Sequence, residues 1–186
     1  MLTPHHTMKR ALVLGAFFLS ASATVASANV YGGLGIGTNG FGDDQNTFST
    51  DGRAGRLFAG YRFPFAFGAI SAEGGLEGYS LFNLHSTNHG YTGTEWFAAG
   101  KVSLPLGEGF EVFGRLGIQK TTVSGDIDLS GSGYLFGVGA EYRFALSNVN
   151  ASVFVDLTRN AQTLAGGNRP DDSSVDRWML GFSVGL

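Results

Sequence analysis

Charge in this chain falls mostly at alternate positions of its apolar stretches, which restricts the folds open to it. Five runs between Arg56 and Arg143 each carry two charges: Arg56/Arg62, Glu73/Glu77, Glu95/Lys101, Glu111/Arg115 and Glu141/Arg143. Every pair is an even number of residues apart, and side chains alternate faces along a strand, so each pair shares one face. The opposite face is uncharged: Leu57, Ala59, Tyr61 and Phe63 in the first run, for example, and Phe136, Val138, Ala140, Tyr142 and Phe144 in the last. One face suits lipid and the other holds ions.

Eight alternating segments can be marked, near Val30–Thr38, Ala54–Phe63, Ala69–Tyr79, Thr94–Leu104, Phe110–Thr121, Tyr134–Phe144, Ala151–Thr158 and Val175–Leu186. Most have the length of a tilted strand crossing a bilayer. Their connections alternate too. Pro64–Gly68, Pro105–Gly109 and Ala145–Asn150 are short, whereas Asn39–Arg53, Ser80–Gly93, Thr122–Gly133 and Arg159–Ser174 are long and polar, with Asp51-Gly52-Arg53 read as a turn. Short turns at one end and long loops at the other predict an all-β fold, an eight-stranded antiparallel up-and-down transmembrane β-barrel. Tyr61, Phe63, Phe110, Tyr142 and Phe144 fall near the short turns and Trp96 and Trp178 toward the long loops, as two interfacial girdles would. The 30 glycines and 16 phenylalanines suit curved, closely spaced strands at a membrane boundary.

Met8-Lys9-Arg10, the apolar run Ala11 to Ala23 and Ala26-Ser27-Ala28 have the order of a Sec-type signal peptide. The expected division is therefore a signal peptide over 1–28 and a barrel domain over 29–186, reaching the Gram-negative outer membrane after Sec-dependent export. The chain has no cysteine, hence no disulfide or thiol nucleophile. Its cationic residues are scattered among carboxylates, so no nucleic-acid partner is expected.

Arg56-Leu57-Phe58-Ala59-Gly60-Tyr61-Arg62-Phe63 and Gly137-Val138-Gly139-Ala140-Glu141-Tyr142-Arg143-Phe144 resemble strands of the small eight-stranded outer-membrane proteins. The likeness is to the OmpA-type transmembrane barrel and its stand-alone OmpX/Ail-like forms. Gly181, Phe182, Val184 and Leu186 are similar to that family's C-terminal assembly signal, with Leu186 where Phe is usual. The resemblance implies outer-membrane lipid, lipopolysaccharide and the barrel-assembly machinery as partners. It also implies a structural and surface-interaction role, covering envelope integrity and loop-mediated adhesion or recognition. It names no surface ligand.

Adding single-charge strands, the expected inward set is Arg56, Arg62, Lys101, Arg115, Arg143 and Arg177 against Glu73, Glu77, Glu95, Glu111, Glu141 and Asp156. An eight-stranded barrel is just wide enough for side chains to fill it. Paired charges together with Phe58, Phe97, Phe113 and Phe154 are expected to plug this one. A narrow porin-like channel is the alternative. A lipid-modifying enzyme would need a nucleophile beside a histidine and an acid. His85 and His89, the histidines after residue 28, both fall in the second long loop, so no enzyme activity and no catalytic residue is expected. A soluble periplasmic ligand-binding barrel would put the aromatic-rich face inside, where a narrow interior has no room. Asp43-Asp44, Asp126-x-Asp128 and Asp171-Asp172 lack the spacing of a calcium loop, and no metal or cofactor is expected.

Overall fold

The computed structural model describes residues 29–42, 49–82, 90–124, 129–146, 149–165 and 171–185. Eight strands follow one another: β1 (Val30–Gly42), β2 (Ser49–Phe65), β3 (Gly68–Phe82), β4 (Gly90–Gly107), β5 (Phe110–Ser124), β6 (Leu129–Leu146), β7 (Val149–Ala165) and β8 (Asp171–Gly185). Each pairs antiparallel with its sequence neighbours, and β1 closes on β8 through the register Tyr31↔Gly185 to Gly42↔Ser174. Closure leaves no strand edge, which a bilayer would not tolerate.

The strands outrun the apolar alternation at their long-loop ends. β7 reaches Ala165 rather than Thr158, and β8 begins at Asp171 rather than Val175. Asp51-Gly52-Arg53 belongs to β2 and is not a turn: Arg53 pairs in register with Thr38 and Ser80. These extensions are polar on both faces, so periodicity gives no sign of them. At 13 to 18 residues the strands exceed the roughly 9–11 needed to span a bilayer.

At the other end the turns are tight. β2 and β3 are joined by Ala66-Phe67 alone, and β4 and β5 by Glu108-Gly109. Glu108 (φ 47°) and Gly109 (φ 86°) are both left-handed, as a two-residue hairpin matching the strand twist requires. A Cβ on Gly109 would lie 2.4 Å from the Arg143 carbonyl oxygen, so glycine serves both the turn and the close approach of β6.

The outer wall is apolar over its middle, where Leu57, Val102, Leu116, Val138, Val155 and Leu180 are all exposed. Close to the long loops it is not charge-free: Arg53, Lys120 and Arg159 face outward and are exposed, and Asp176, partly exposed, pairs with Arg159. Tyr61 packs tilted against Phe63 (4.5 Å between ring centroids) and Phe110 against Tyr142 (4.6 Å) at the short-turn end. Trp96 and Trp178 face outward toward the other end. The expected signal peptide, His85, His89, Asp43, Asp44, Asp126, Asp128 and Leu186 lie outside the described residues; Asp171 and Asp172 start β8.

Candidate functional site: the filled interior

Inward positions on the strands fall at every second residue, and they bring the twelve charges proposed from the sequence into one chain of ion pairs. From the short-turn end it begins with Arg143, whose Nε is 3.9 Å from Glu111; Glu111 is 2.8 Å from Arg62, and Arg62 is 3.7 Å from Glu141. Glu141 then holds Lys101 at 2.6 Å, and Lys101 approaches Glu73 at 3.8 Å. Glu73 lies 2.8 Å from Arg115 Nε, and Arg115 reaches Asp156. Asp156 is shared with Arg56, Arg56 with Glu77, and Glu77 with Arg177, which ends the chain on Glu95 at 2.9 Å. Cation and anion alternate throughout, so each buried charge has opposite charge on both sides, apart from those at the ends.

Burial deepens away from the short-turn mouth. Arg56, Glu73, Glu77, Glu95, Arg115, Asp156 and Arg177 are all buried, whereas the Arg143 side chain is 30% exposed at the short-turn mouth. Buried carboxylates and guanidinium groups are tolerated only when paired and hydrogen-bonded. Neutral groups add further hydrogen bonds. Tyr31 donates its hydroxyl to Glu73, Thr158 donates to Asp156 at 2.6 Å, and Asn160 Nδ2 donates to Glu95 at 2.9 Å. Thr121 donates to Gln162 Oε1 at 2.6 Å beside the same glutamate.

Aromatic rings fill the rest, and each lies over a glycine. Phe58 stands opposite Gly33, Phe97 opposite Gly75, Phe113 opposite Gly139 and Phe154 opposite Gly181, all directly paired across strands. A Cβ at these glycines would come within 2.2 to 2.8 Å of the facing ring. Tyr31 over Gly60 and Tyr79 over Gly93 repeat the arrangement. All six pairs lie within the hairpins β1–β2, β3–β4, β5–β6 and β7–β8, whose strands are joined at the long-loop end. The rings then meet across the interior: Phe58 packs edge-on against Phe154 at 5.7 Å. Lys101 Nζ sits 4.3 Å from the centre of the Phe113 ring and the Arg177 guanidinium 4.8 Å from that of Tyr79, so rings and charges also stabilise each other.

The four phenylalanines were readable as inward from strand parity. Tyr31, Tyr79, Asn160, Gln162 and Thr121 escaped, although Tyr31 shares parity with Gly33 and Gly35 along β1 and could have been placed by it. Gly181, Phe182 and Val184 of the expected assembly signal lie in β8, paired with Gly35, Leu34 and Gly32 of β1 respectively at the closing seam.

The fold matches known proteins. The chain matches the family described as outer membrane protein beta-barrel domain over residues 11–186. Among solved structures, Ail, the attachment invasion locus protein of Yersinia pestis, superimposes with a TM-score of 0.55 at 14% identity, over 86% of this chain and all of that one. Neisserial surface protein A gives 0.57 at 13% identity over 83% of this chain and 96% of its own. The outer membrane enzyme PagL gives 0.52 at 13% over 82% and 97%. No curated protein matches the chain in sequence. At these identities the likeness carries the fold, and the family carries the location: this chain is an outer-membrane β-barrel and belongs to the outer membrane protein beta-barrel domain family.

Proposed function

We infer that the protein works as a structural and surface-displaying barrel, closed to solutes, whose contribution lies in envelope integrity and in recognition by its long loops. One observation carries this reading: the alternating chain from Arg143 at the short-turn mouth to the buried Glu95, together with the rings of Phe58, Phe97, Phe113 and Phe154, fills the interior along this length. A channel needs a continuous wet path, and a barrel of this strand number has little width to spare once such side chains are inside. The non-enzymatic part of the reading rests on the sequence, since both histidines after residue 28 stand in one long connection among Ser86, Thr87, Asn88 and Gly90.

Planar-bilayer recording tests it. The wild-type protein is expected to be silent, and large stable conductance steps would replace this reading with that of a narrow pore. The loops are tested separately, by exchanging the residues between β3 and β4 or between β7 and β8 for short Gly-Ser links. Surface binding should fall while the barrel still folds.

A further inference from the structure

The interior charges balance as a whole but not in halves. Lys101 is 2.6 Å from Glu141 and 3.8 Å from Glu73, and Glu73 is held more closely by Arg115 at 2.8 Å, so the series divides there. The deep half sets Arg115, Arg56 and Arg177 against Glu73, Asp156, Glu77 and Glu95. The half at the short-turn mouth sets Arg143, Arg62 and Lys101 against Glu111 and Glu141, an excess of one positive charge. Arg143 is the cation held least. It lies 3.6 Å from Glu141 and 3.9 Å from Glu111, outside hydrogen-bond range, whereas every other cation of the series has a carboxylate at 2.9 Å or nearer.

Small side chains leave room beside it. Arg143, Ser152 and Ser183 are direct cross-strand partners on β6, β7 and β8, and Ala145, Asn150 and Gly185 form the next row toward the mouth. A cavity of about 20 Å³ is lined there by Arg143, Arg62, Lys101, Ser152, Ser183 and Asn150. One water needs roughly 10–15 Å³, so the space admits a head group and not a whole small molecule. Glu141, which also lines it, is already hydrogen-bonded to Lys101. The two serine hydroxyls share a 2.8 Å hydrogen bond, which uses one of their hydrogens and leaves the other to donate. We propose that this cavity seats a single carboxylate entering from the short-turn side, free or at the C-terminal end of a peptide, on the Arg143 guanidinium and the spare serine hydroxyl. The planar guanidinium fork matches a carboxylate in shape. One negative charge also equals the excess at the mouth, whereas a phosphate dianion would exceed it beside Glu141. In a barrel with short turns on this side, the ligand comes from the periplasm.

The test is an NMR titration of the ¹⁵N-labelled protein, folded in neutral detergent, with acetate, with N-acetyl-dialanine and with the C-terminal amide of that peptide. Sodium chloride keeps the ionic strength constant. Saturable shifts of the Ser152, Ser183 and Gly185 amide signals are expected with acetate and the peptide acid, and none with the amide. Tighter binding of the peptide acid than of acetate would identify a peptide end as the source, and equal binding a free carboxylate. Arg143→Gln should weaken binding about tenfold, as loss of one charge-assisted hydrogen bond does. Asn150→Asp, at an exposed position, supplies a carboxylate from the chain itself and should abolish it. Arg53→Gln, which removes an outward charge on β2, should leave it unchanged. A wild-type titration from Arg143→Gln or from Asn150→Asp would overturn the proposal. Equal shifts with the amide or with chloride alone would do so too, as would an equal loss from Arg53→Gln. Heat-dependent gel migration shows that each variant has folded before it is titrated, and Asn150→Asp carries the test if Arg143→Gln does not fold.

Discussion

Gly139 faces Phe113 across β5 and β6, and the missing side chain is what the ring occupies: a Cβ there would lie 2.3 Å from both the ring and the Val155 carbonyl oxygen. Gly139→Ala is therefore expected to overpack the interior and lower stability by about 1–3 kcal/mol. Gly114→Ala, on the outward face of β5 with nothing within 4 Å of the new carbon, should be close to neutral. Urea titrations of the two variants in the same detergent provide the comparison; similar losses from both would mean that the ring does not depend on the glycine beneath it. Charge makes the sharper case. Arg115 is bound to Glu73 and Asp156 together, and all three are buried. Arg115→Ala leaves two carboxylates short of a counter-charge and should cost about 3–5 kcal/mol, read from the same titration.

At the scale of the strand, the alternation decides both depth and boundary. Val138 is exposed on the outer face of β6, between Ala140 and Phe136. Val138→Arg should cost roughly 2–4 kcal/mol if it sits near the bilayer midplane, whereas Asn46→Arg, in the first long connection, should change little. Equal tolerance in a refolding titration would mean that the wall faces something other than lipid. The eight strands were legible because lipid on one side and ions on the other imprint a period of two. Their long-loop ends were not, since Asn160 and Gln162 continue β7 inside a part of the barrel whose outer face, Arg159, Ala161 and Thr163, is no longer apolar. A strand that is polar on both faces reads like a loop. The turn at Glu108-Gly109 shows the opposite case, where local chemistry alone fixed the position.

For the whole molecule, the apolar wall requires a lipid-like solvent. The folded protein should be recovered in outer membrane or detergent micelles and should migrate differently on gels before and after boiling. Recovery as a detergent-free soluble monomer would falsify this. Which residues carry the interior charge could be read from parity, strand by strand. Which of them touch could not. Arg56 and Asp156 lie on β2 and β7 and meet across the interior, and Arg177 on β8 crosses to Glu77 on β3 and Glu95 on β4. Such contacts are set by closure and stagger, which no local pattern records. The order Arg143 to Glu95 is thus a property of the closed barrel, although its twelve members are a property of the sequence.

That order passes through every strand except β1. The inward positions of β1 are Tyr31, Gly33, Gly35, Gly37 and Asn39, with no ionisable acid or base able to join the series. Among the described residues it is attached by backbone ladders to β2 and β8, by Tyr31, whose hydroxyl reaches Glu73 and whose ring lies over Gly60 and against Phe58, and by the rings lying over its glycines. Under mechanical load, the barrel should then yield by peeling rather than by shattering. Pulled from its N terminus in a bilayer by a force probe, β1 should detach first and alone, leaving seven strands clasped by an unbroken run of charges. Pulled from its C terminus, β8 has to take Arg177 out of Glu77 and Glu95, and the first rupture should need the larger force. A larger first force from the N terminus would show that the glycine strand is held by more than its ladders and rings.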